Sequence, residues 1–224
     1  DVAARFEPAR DLGGDLYDFL APEPNTLVIA VGDVSGKGVP AALYGAFAGE
    51  LVRSRTFRRR YSSDRSGPAQ VMASMNTILY ERQLEEYYCT MIYAVFDFKR
   101  RTLTMSNAGL PYPVRKRGGA LGEPAAQIEL PGVPLGSFSG SNYDELVLDL
   151  KPGDLFVFVT DGVTEAQDAL LREFGSERLM AIADQMHDRP AREIVDAIFT
   201  AVNEFRGDMP PNDDTTAVVV RVTG

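Results

Sequence analysis

The chain has a single cysteine, a single histidine and no long apolar run, and each scarcity excludes a class of protein. The lone thiol of Cys89 cannot form an internal disulfide, which fits a reducing compartment. Because Cys89 directly precedes an apolar run, we interpret it as a buried small side chain rather than a nucleophile. No stretch approaches the ~20 apolar residues of a transmembrane helix, and no signal peptide is visible. We therefore expect a cytoplasmic protein without direct membrane contact.

The remaining composition is that of an acidic globular domain. A chain of 224 residues fits one domain and needs neither disulfides nor a structural zinc to bury a core. The net charge of −9 argues against nucleic acid or an anionic membrane as the main partner. A basic run at 53–61 is interpreted as a solvated helix end and loop, with docking of an acidic partner as the minority alternative. The chain starts at Asp1 without an initiator Met, so we expect residues 1–224 to be a domain excised from a longer protein.

Predicted strands come in groups rather than in alternation with helices. Helical spacing of apolar residues predicts helices over 41–53, 68–86, 177–185 and 191–205. Alternating or continuous apolar runs bounded by turn residues predict strands over 2–7, 15–20, 25–33, 90–98, 101–106, 112–117, 127–130, 143–150, 154–160 and 214–222. This grouping indicates antiparallel sheets with helices packed outside, an α+β layered sandwich, and not a doubly wound parallel sheet.

Four aspartates, remote from one another in the chain, occupy the ends of predicted strands: Asp15, Asp33, Asp161 and Asp213. Carboxylates that a rigid sheet presents at strand ends can converge on one point. Like charges placed so closely persist only if something positive lies between them. Because every proposed ligand is an oxygen, hard divalent cations are the natural candidates. Taken singly, each aspartate is equally well explained as an ordinary turn or capping residue.

The glycine-rich segment after Asp33 mimics two better-known loops and matches neither. A phosphate-binding P-loop needs Gly five residues before its Gly-Lys pair and Ser or Thr after the Lys, where this chain has Val31 and Gly38. An EF-hand loop that begins at Asp33 needs Glu at its twelfth position, where this chain has Tyr44. What remains is an aspartate at the end of a buried strand, followed by a tight turn and a helix.

Four segments together resemble a known family. Gly-Gly-Asp-Leu-Tyr-Asp-Phe (13–19), Gly-Asp-Val-Ser-Gly-Lys-Gly-Val-Pro-Ala-Ala-Leu (32–43), Thr-Asp-Gly-Val-Thr-Glu-Ala (160–166) and Asp-Asp-Thr-Thr (213–216) stand in the order found in metal-dependent protein phosphatases of the 2C type. The match is closest to the bacterial branch of stage II sporulation protein E and the sigma-factor regulator RsbU. It spans nearly the whole chain.

The resemblance implies a four-layer α-β-β-α sandwich, with two antiparallel sheets flanked by helix pairs and a site for two Mn²⁺ or Mg²⁺ ions. It implies that Asp33 bridges the metals, that Val34 adds its backbone carbonyl, and that Asp15, Asp161 and Asp213 complete the ligands. Asp214 is an alternative to Asp213, and Asp18 could hold a water near the metals. Two cations ~3.5–4 Å apart would make a bridging water nucleophilic, so no catalytic protein side chain is needed.

The same resemblance implies hydrolysis of phosphoserine or phosphothreonine on a regulatory protein, such as an anti-sigma-factor antagonist, in a partner-switching pathway. An N-terminal sensor or regulatory domain would control the enzyme, and homodimer formation stays open. Two alternatives remain: a regulatory binding module with little turnover, and a hydrolase of small phosphate esters. The family usually has His after the Gly of the segment 107–113, where this chain has Leu110. The only histidine, His187, is expected on the surface, and Arg10 is not at the offset of the phosphate-binding arginine of eukaryotic relatives.

Overall fold

A computed structural model describes residues 1–58, 67–82, 87–119 and 123–224. It contains fifteen elements of secondary structure. In chain order they are β1 (Val2–Glu7), β2 (Leu16–Leu20), β3 (Thr26–Val34), α1 (Val39–Arg58), α2 (Pro68–Glu81), β4 (Cys89–Asp97), β5 (Thr102–Asn107), β6 (Val114–Lys116), β7 (Ala126–Gln127), β8 (Leu146–Asp149), β9 (Leu155–Val159), α3 (Asp161–Thr164), α4 (Gly175–Met186), α5 (Ala191–Arg206) and β10 (Thr215–Arg221).

The chain forms two compact units, each assembled from separate segments. The central unit contains Leu12–Leu110 and Leu130–Leu150. The terminal unit contains Asp1–Asp11, Pro111–Glu129 and Lys151–Gly224. The division follows the sheets, because each unit holds the five strands of one sheet.

The central unit is an antiparallel sheet in the order β2-β3-β4-β5-β8, with α1 and α2 packed against it. Strands β3 and β4 are its buried centre, since both are long and mostly apolar, with Val, Ile and Ala in each and aromatic residues in β4, a composition that suits a covered strand. Helix α1 begins directly after Gly38, whose φ of 77° lets the chain turn, and Pro40 lies in its first turn. The small side chains of Ala41 and Ala48 are fully buried on its inner face.

The terminal unit is an antiparallel sheet in the order β1-β10-β9-β6-β7. Helices α4 and α5 pack on it, and the short α3 packs against β9 and β10. Helix α5 has a pronounced apolar face whose buried members recur at helical spacing: Ile194, Val195, Ile198, Phe199 and Val202. The helix therefore covers the sheet with one side and exposes charged residues on the other.

The structure confirms the predicted α+β class, with antiparallel sheets and two long helices on each sheet. All ten predicted strands and all four predicted helices are present, with ends shifted by a few residues. The helix predicted to end at residue 53 continues to Arg58. The helix predicted over 68–86 ends at Glu81, and residues 83–86 lie outside the described part of the chain, as do residues 59–61 of the basic run. The short helix α3 was not predicted from the sequence.

Candidate metal centre

Asp15 and Asp33 lie beside each other in the central unit. Strands β2 and β3 form a hairpin in which Leu16 pairs with Gly32. One step further along this register, Asp15 comes opposite Asp33. Both residues are partly buried, and Oδ1 of Asp15 is shielded from solvent. The hairpin therefore brings together the first two predicted ligands.

Close backbone packing fixes the position of this pair. A Cβ atom on Gly14 would lie 2.8 Å from the carbonyl oxygen of Val34, and a Cβ on Gly45 of α1 would lie 2.9 Å from the carbonyl oxygen of Gly14. Only glycine permits both approaches, because real Cβ atoms do not come so near. Gly14, the residue before Asp15, therefore packs against the Val34 carbonyl, which is predicted to bind metal.

The buried thiol of Cys89 lies near the same carboxylates. Burial raises the pKa of Cys89, and the negative charges of Asp33 and Asp15 raise it further. The thiol is therefore protonated and inaccessible, as expected for a structural cysteine.

A cavity of about 340 Å³ opens next to Asp15, between β2 and α1. Asp18 lines it together with Arg53, and Nε of Arg53 donates to Oδ2 of Asp18 at 2.6 Å. The carboxylate of Asp18 is largely buried, whereas the guanidinium is mostly exposed. Asp18 is thus an ion-pair partner two residues into β2, next to the predicted ligands.

Asp161 and Asp213 lie close together in the terminal unit. Asp161 is the first residue of α3, two residues after β9 ends, and Asp213 stands two residues before β10 begins. The ends of these strands are tied at Thr160, whose backbone N–H donates to the Thr216 carbonyl and whose Oγ1 accepts from the Thr216 N–H. A Cβ on Gly162 would lie only 1.8 Å from the Asp214 carbonyl oxygen, so α3 directly abuts the chain at Asp213 and Asp214.

Asp213 and its neighbour Asp214 differ in their surroundings. Oδ1 of Asp213 accepts a hydrogen bond from the backbone N–H of Asp214 at 2.9 Å, and Asp213 is partly exposed. Asp214 is only 5% exposed, and its Oδ1 accepts from the backbone N–H of Ala9 at 2.8 Å. Asp214 therefore anchors the chain after β1, which favours Asp213 as the residue available to a ligand.

One acidic residue of this group, Glu165, was not predicted from the sequence. Glu165 follows α3 and is exposed, but partial desolvation raises its pKa, with further contributions from the negative charges of Asp161, Glu173 and Asp213. Its carboxylate therefore shares the electrostatic environment of the two predicted ligands. The signal was present, because Glu165 ends the segment Thr-Asp-Gly-Val-Thr-Glu, but the segment alone does not say where the side chain lies.

Leu110, His187 and Arg10 were considered for roles in catalysis or phosphate binding, and each lies either in the core or on the surface. Leu110 is 3% exposed, and the Asn107 side chain donates to its carbonyl and accepts from its N–H. His187 caps the end of α4 on the surface, where its ring nitrogen Nδ1 contacts the Asp184 carbonyl at 2.8 Å. Arg10 is exposed.

The predicted ligands therefore form two acidic pairs, one in each unit. Within residues 1–58, 67–82, 87–119 and 123–224, no group of three or more His, Cys, Asp or Glu side chains could hold a metal ion. The donors of both pairs are carboxylate or carbonyl oxygens, which suit Mn²⁺ and Mg²⁺. The assembly of both pairs into one centre stays a prediction.

Comparison with known proteins identifies the family. The sequence model of the stage II sporulation protein E (SpoIIE) family matches residues 23–223. The chain belongs to the SpoIIE family. These are PP2C-type phosphatase domains, and the match covers three of the four acidic segments.

Individual relatives agree with this assignment. This SpoIIE-family chain is 26% identical over 226 residues to the phosphoserine phosphatase RsbU of Bacillus subtilis, covering 99% of the chain and 63% of RsbU. It has the fold of the PP2C domain of SiaA from Pseudomonas aeruginosa, with a TM-score of 0.84 and 22% identity over 98% of the chain and 85% of that domain. It also matches the PP2C phosphatase domain structure of SpoIIE from Bacillus subtilis, with a TM-score of 0.81 and 21% identity over 99% of the chain and 62% of that structure. The chain thus spans less than two thirds of RsbU.

Proposed function

We propose that this SpoIIE-family domain is a metal-dependent protein serine/threonine phosphatase. The observation that carries the proposal is the presence, in each unit, of two aspartates brought together where strands end. Asp15, Asp33 and the Val34 carbonyl would hold the metals from the central unit, and Asp161 and Asp213 from the terminal unit. Family membership supports Asp33, Val34, Asp161 and Asp213, since these residues lie within the matched range 23–223, whereas Asp15 lies before it.

Two bound divalent cations would supply a nucleophilic water and neutralise charge on the phosphate. The chain's own task is to hold oxygen ligands rigidly, which the Gly14 and Gly162 contacts support. No protein nucleophile is required, and the one thiol, Cys89, is buried and protonated. The ion pair between Asp18 and Arg53 would keep a positive charge beside Asp15, where an anionic substrate has to approach.

The proposed substrate is a serine-phosphorylated regulatory protein, such as an anti-sigma-factor antagonist. RsbU, a phosphoserine phosphatase, supports this class of substrate, and the chain corresponds to 63% of its length. We also propose that a sensor or regulatory domain precedes residues 1–224 in the full-length protein. We further propose that the protein is cytoplasmic. In the described residues no helix is both long enough and apolar enough to span a bilayer.

The proposal is tested by phosphate release and by metal binding measured separately. Purified protein should hydrolyse p-nitrophenyl phosphate and a serine-phosphorylated antagonist with Mn²⁺ or Mg²⁺, and chelator should abolish both activities. Asp33→Asn and Asp161→Asn should weaken Mn²⁺ binding in calorimetry and lower kcat at least 100-fold, because removing groups that stabilise a transition state has effects of about this size. Asp188→Asn, the same change on an exposed residue, is the control. An Asp33→Asn variant with full Mn²⁺-stimulated activity would refute the assignment of Asp33.

One observation favours a second candidate, a regulatory binding module with little turnover. Leu110 fills a buried site where the family usually has His, so no imidazole is available there. Tight binding of a phosphorylated antagonist together with negligible phosphate release in Mn²⁺ would favour this candidate.

A further inference from the structure

A short loop after α3 displays two leucines to solvent. Residues 166–174, which we call the leucine loop, leave the core at Ala166 and return to it at Phe174. At its tip, Leu170 is 72% exposed and Leu171 is 69% exposed. They are the two most exposed large apolar residues in the part of the chain that the structure describes. Two adjacent exposed leucines form a small contiguous apolar patch, unlike the single exposed apolar residues that are common on protein surfaces.

The leucine loop is held in one shape by Asp168. Its Oδ1 accepts hydrogen bonds from the backbone N–H groups of Leu170 and Arg172, at 2.9 and 3.0 Å. Its Oδ2 accepts from Nε of Arg172 at 2.8 Å, and the backbone N–H of Asp168 donates to the Arg172 carbonyl. An isolated bridge between Gln167 and Glu173 closes the loop below. The tip is therefore preorganised, so little conformational entropy would be lost when a partner covers it.

The conformation of Leu171 is costly for a residue with a side chain. Its φ is +60°, a left-handed conformation in which glycine or asparagine is normally found. A leucine at this position is unfavourable for folding and is exposed to water as well. Strain of this kind is characteristic of functional segments, and here it aims an apolar side chain outward.

The leucine loop is continuous with the segment that carries Asp161. Helix α3 begins at Asp161, and the backbone N–H of Glu165 donates to the Asp161 carbonyl at 2.7 Å. The loop starts at the next residue, and its two ends are joined by the hydrogen bond from the Phe174 N–H to the Ala166 carbonyl at 2.9 Å. Leu170 stands nine positions after Asp161, and because this stretch consists of the single turn of α3 and a closed loop, a protein bound at Asp161 would be close to the tip.

We propose that Leu170 and Leu171 dock the folded body of the phosphoprotein substrate, outside the phosphorylated segment. This inference rests on the proposed phosphatase function. Two leucine side chains offer far less than the ~1,000 Å² of a stable interface, which suits a transient enzyme–substrate contact better than a permanent dimer. The exposed carboxylates of Glu165 and Glu173 at the base of the loop disfavour an anionic membrane surface.

The test uses two variants that leave the fold intact. Leu171→Gly removes the side chain and relieves the left-handed strain, so its melting temperature should be unchanged or higher. Leu170→Ala truncates the second side chain on the surface. Phe138→Ala, which truncates a 61% exposed side chain in the other unit, is the matched control.

The probes are a serine-phosphorylated anti-sigma-factor antagonist, a hexapeptide around its phosphoserine, and p-nitrophenyl phosphate. Each leucine variant should raise the KM and the Kd for the phosphoprotein about tenfold, with kcat and the turnover of both small substrates within twofold of the unmodified protein. The control should behave as the unmodified protein does.

The outcomes separate this inference from the proposed function. If the unmodified protein hydrolyses none of the three probes, the phosphatase function fails. If it is active and the leucine variants retain phosphoprotein affinity, only the docking role fails. Equal losses on all three probes, or a shift from dimer to monomer in sedimentation, would also overturn docking, because the leucines would then act on the catalytic site or on self-association.

Discussion

Adding one methyl group at Gly162 should displace Asp161 and Asp213, the two proposed metal ligands of the terminal unit. In Gly162→Ala, the new Cβ would lie 1.8 Å from the Asp214 carbonyl oxygen and 2.8 Å from its carbonyl carbon. Contacts below 3.0 Å essentially do not occur, so the two backbones must separate by at least about 1.2 Å. Both partners are main chain, and neither can rotate away as a flexible side chain would.

The size of the effect follows from this displacement. Overpacking in a close-packed region typically costs about 1–3 kcal/mol, and a clash between two backbones belongs at the upper end of that range. For a chain of this length a loss of about 3 kcal/mol lowers the melting temperature by roughly 6–12 °C. Because Asp161 and Asp213 flank the contact, a displacement near 1 Å should also lower kcat on the order of 100-fold.

The assay combines thermal unfolding with Mn²⁺-dependent hydrolysis of p-nitrophenyl phosphate. Gly49→Ala is the control for stability, since its Cβ would meet nothing nearer than 3.9 Å and would favour helix α1 by up to about 1 kcal/mol. It should melt at the same or a higher temperature. If Gly162→Ala melts as the unmodified protein does and keeps its activity, the close approach of α3 to Asp214 is not what positions these aspartates.

Three further changes test other parts of the structure. Asp154→Ala should cost about 3–5 kcal/mol in urea unfolding, because the fully buried carboxylate pairs with Arg115 at 2.6 Å and its loss leaves a buried charge; a cost below 1 kcal/mol would contradict this. The guanidinium of Arg172 lowers the pKa of Asp168 in the folded protein. The pair therefore stabilises the fold fully above the pKa of Asp168 in the unfolded chain, about 3.9. This stabilisation is lost as the pH falls through the lower pKa of Asp168 in the folded protein. The urea midpoints of Asp168→Asn and the unmodified protein should therefore differ at pH 7 and converge below about pH 4; a constant difference would exclude the ion pair as its source. Cys89→Ala should retain metal-dependent activity, and the native thiol should not react with Ellman's reagent, since Cys89 is fully buried; rapid labelling of folded protein would refute this.

The sequence sufficed to predict the elements whose residues favour one structure locally. Strands β3, β4, β9 and β10 consist mainly of β-branched, aromatic and other apolar residues, a composition that favours a buried strand. The proximity of Asp15 and Asp33 also follows from local sequence. Two adjacent strands joined by a short turn pair with each other, and residues at their open ends come together.

Elements imposed by packing were not predictable in the same way. Helix α3 contains Gly162 and the β-branched residues Val163 and Thr164, which are weak helix formers, and it exists where the chain turns against β10. The environment of Glu165 depends on that turn. The bond between Asp214 and Ala9 joins residues 205 positions apart, a distance over which no sequence pattern gives information.

The two acidic pairs arise independently of each other. The hairpin register and the contacts of Gly14 and Gly45 place Asp15 beside Asp33, whereas the Gly162 contact and the Thr160 hydrogen bonds place Asp161 beside Asp213. Each pair is therefore positioned by contacts of its own backbone, as a preorganised ligand set requires. Placing carboxylates together is electrostatically costly, and two separate close backbone contacts maintain that arrangement. A protein that used these aspartates only as turn residues would need neither contact.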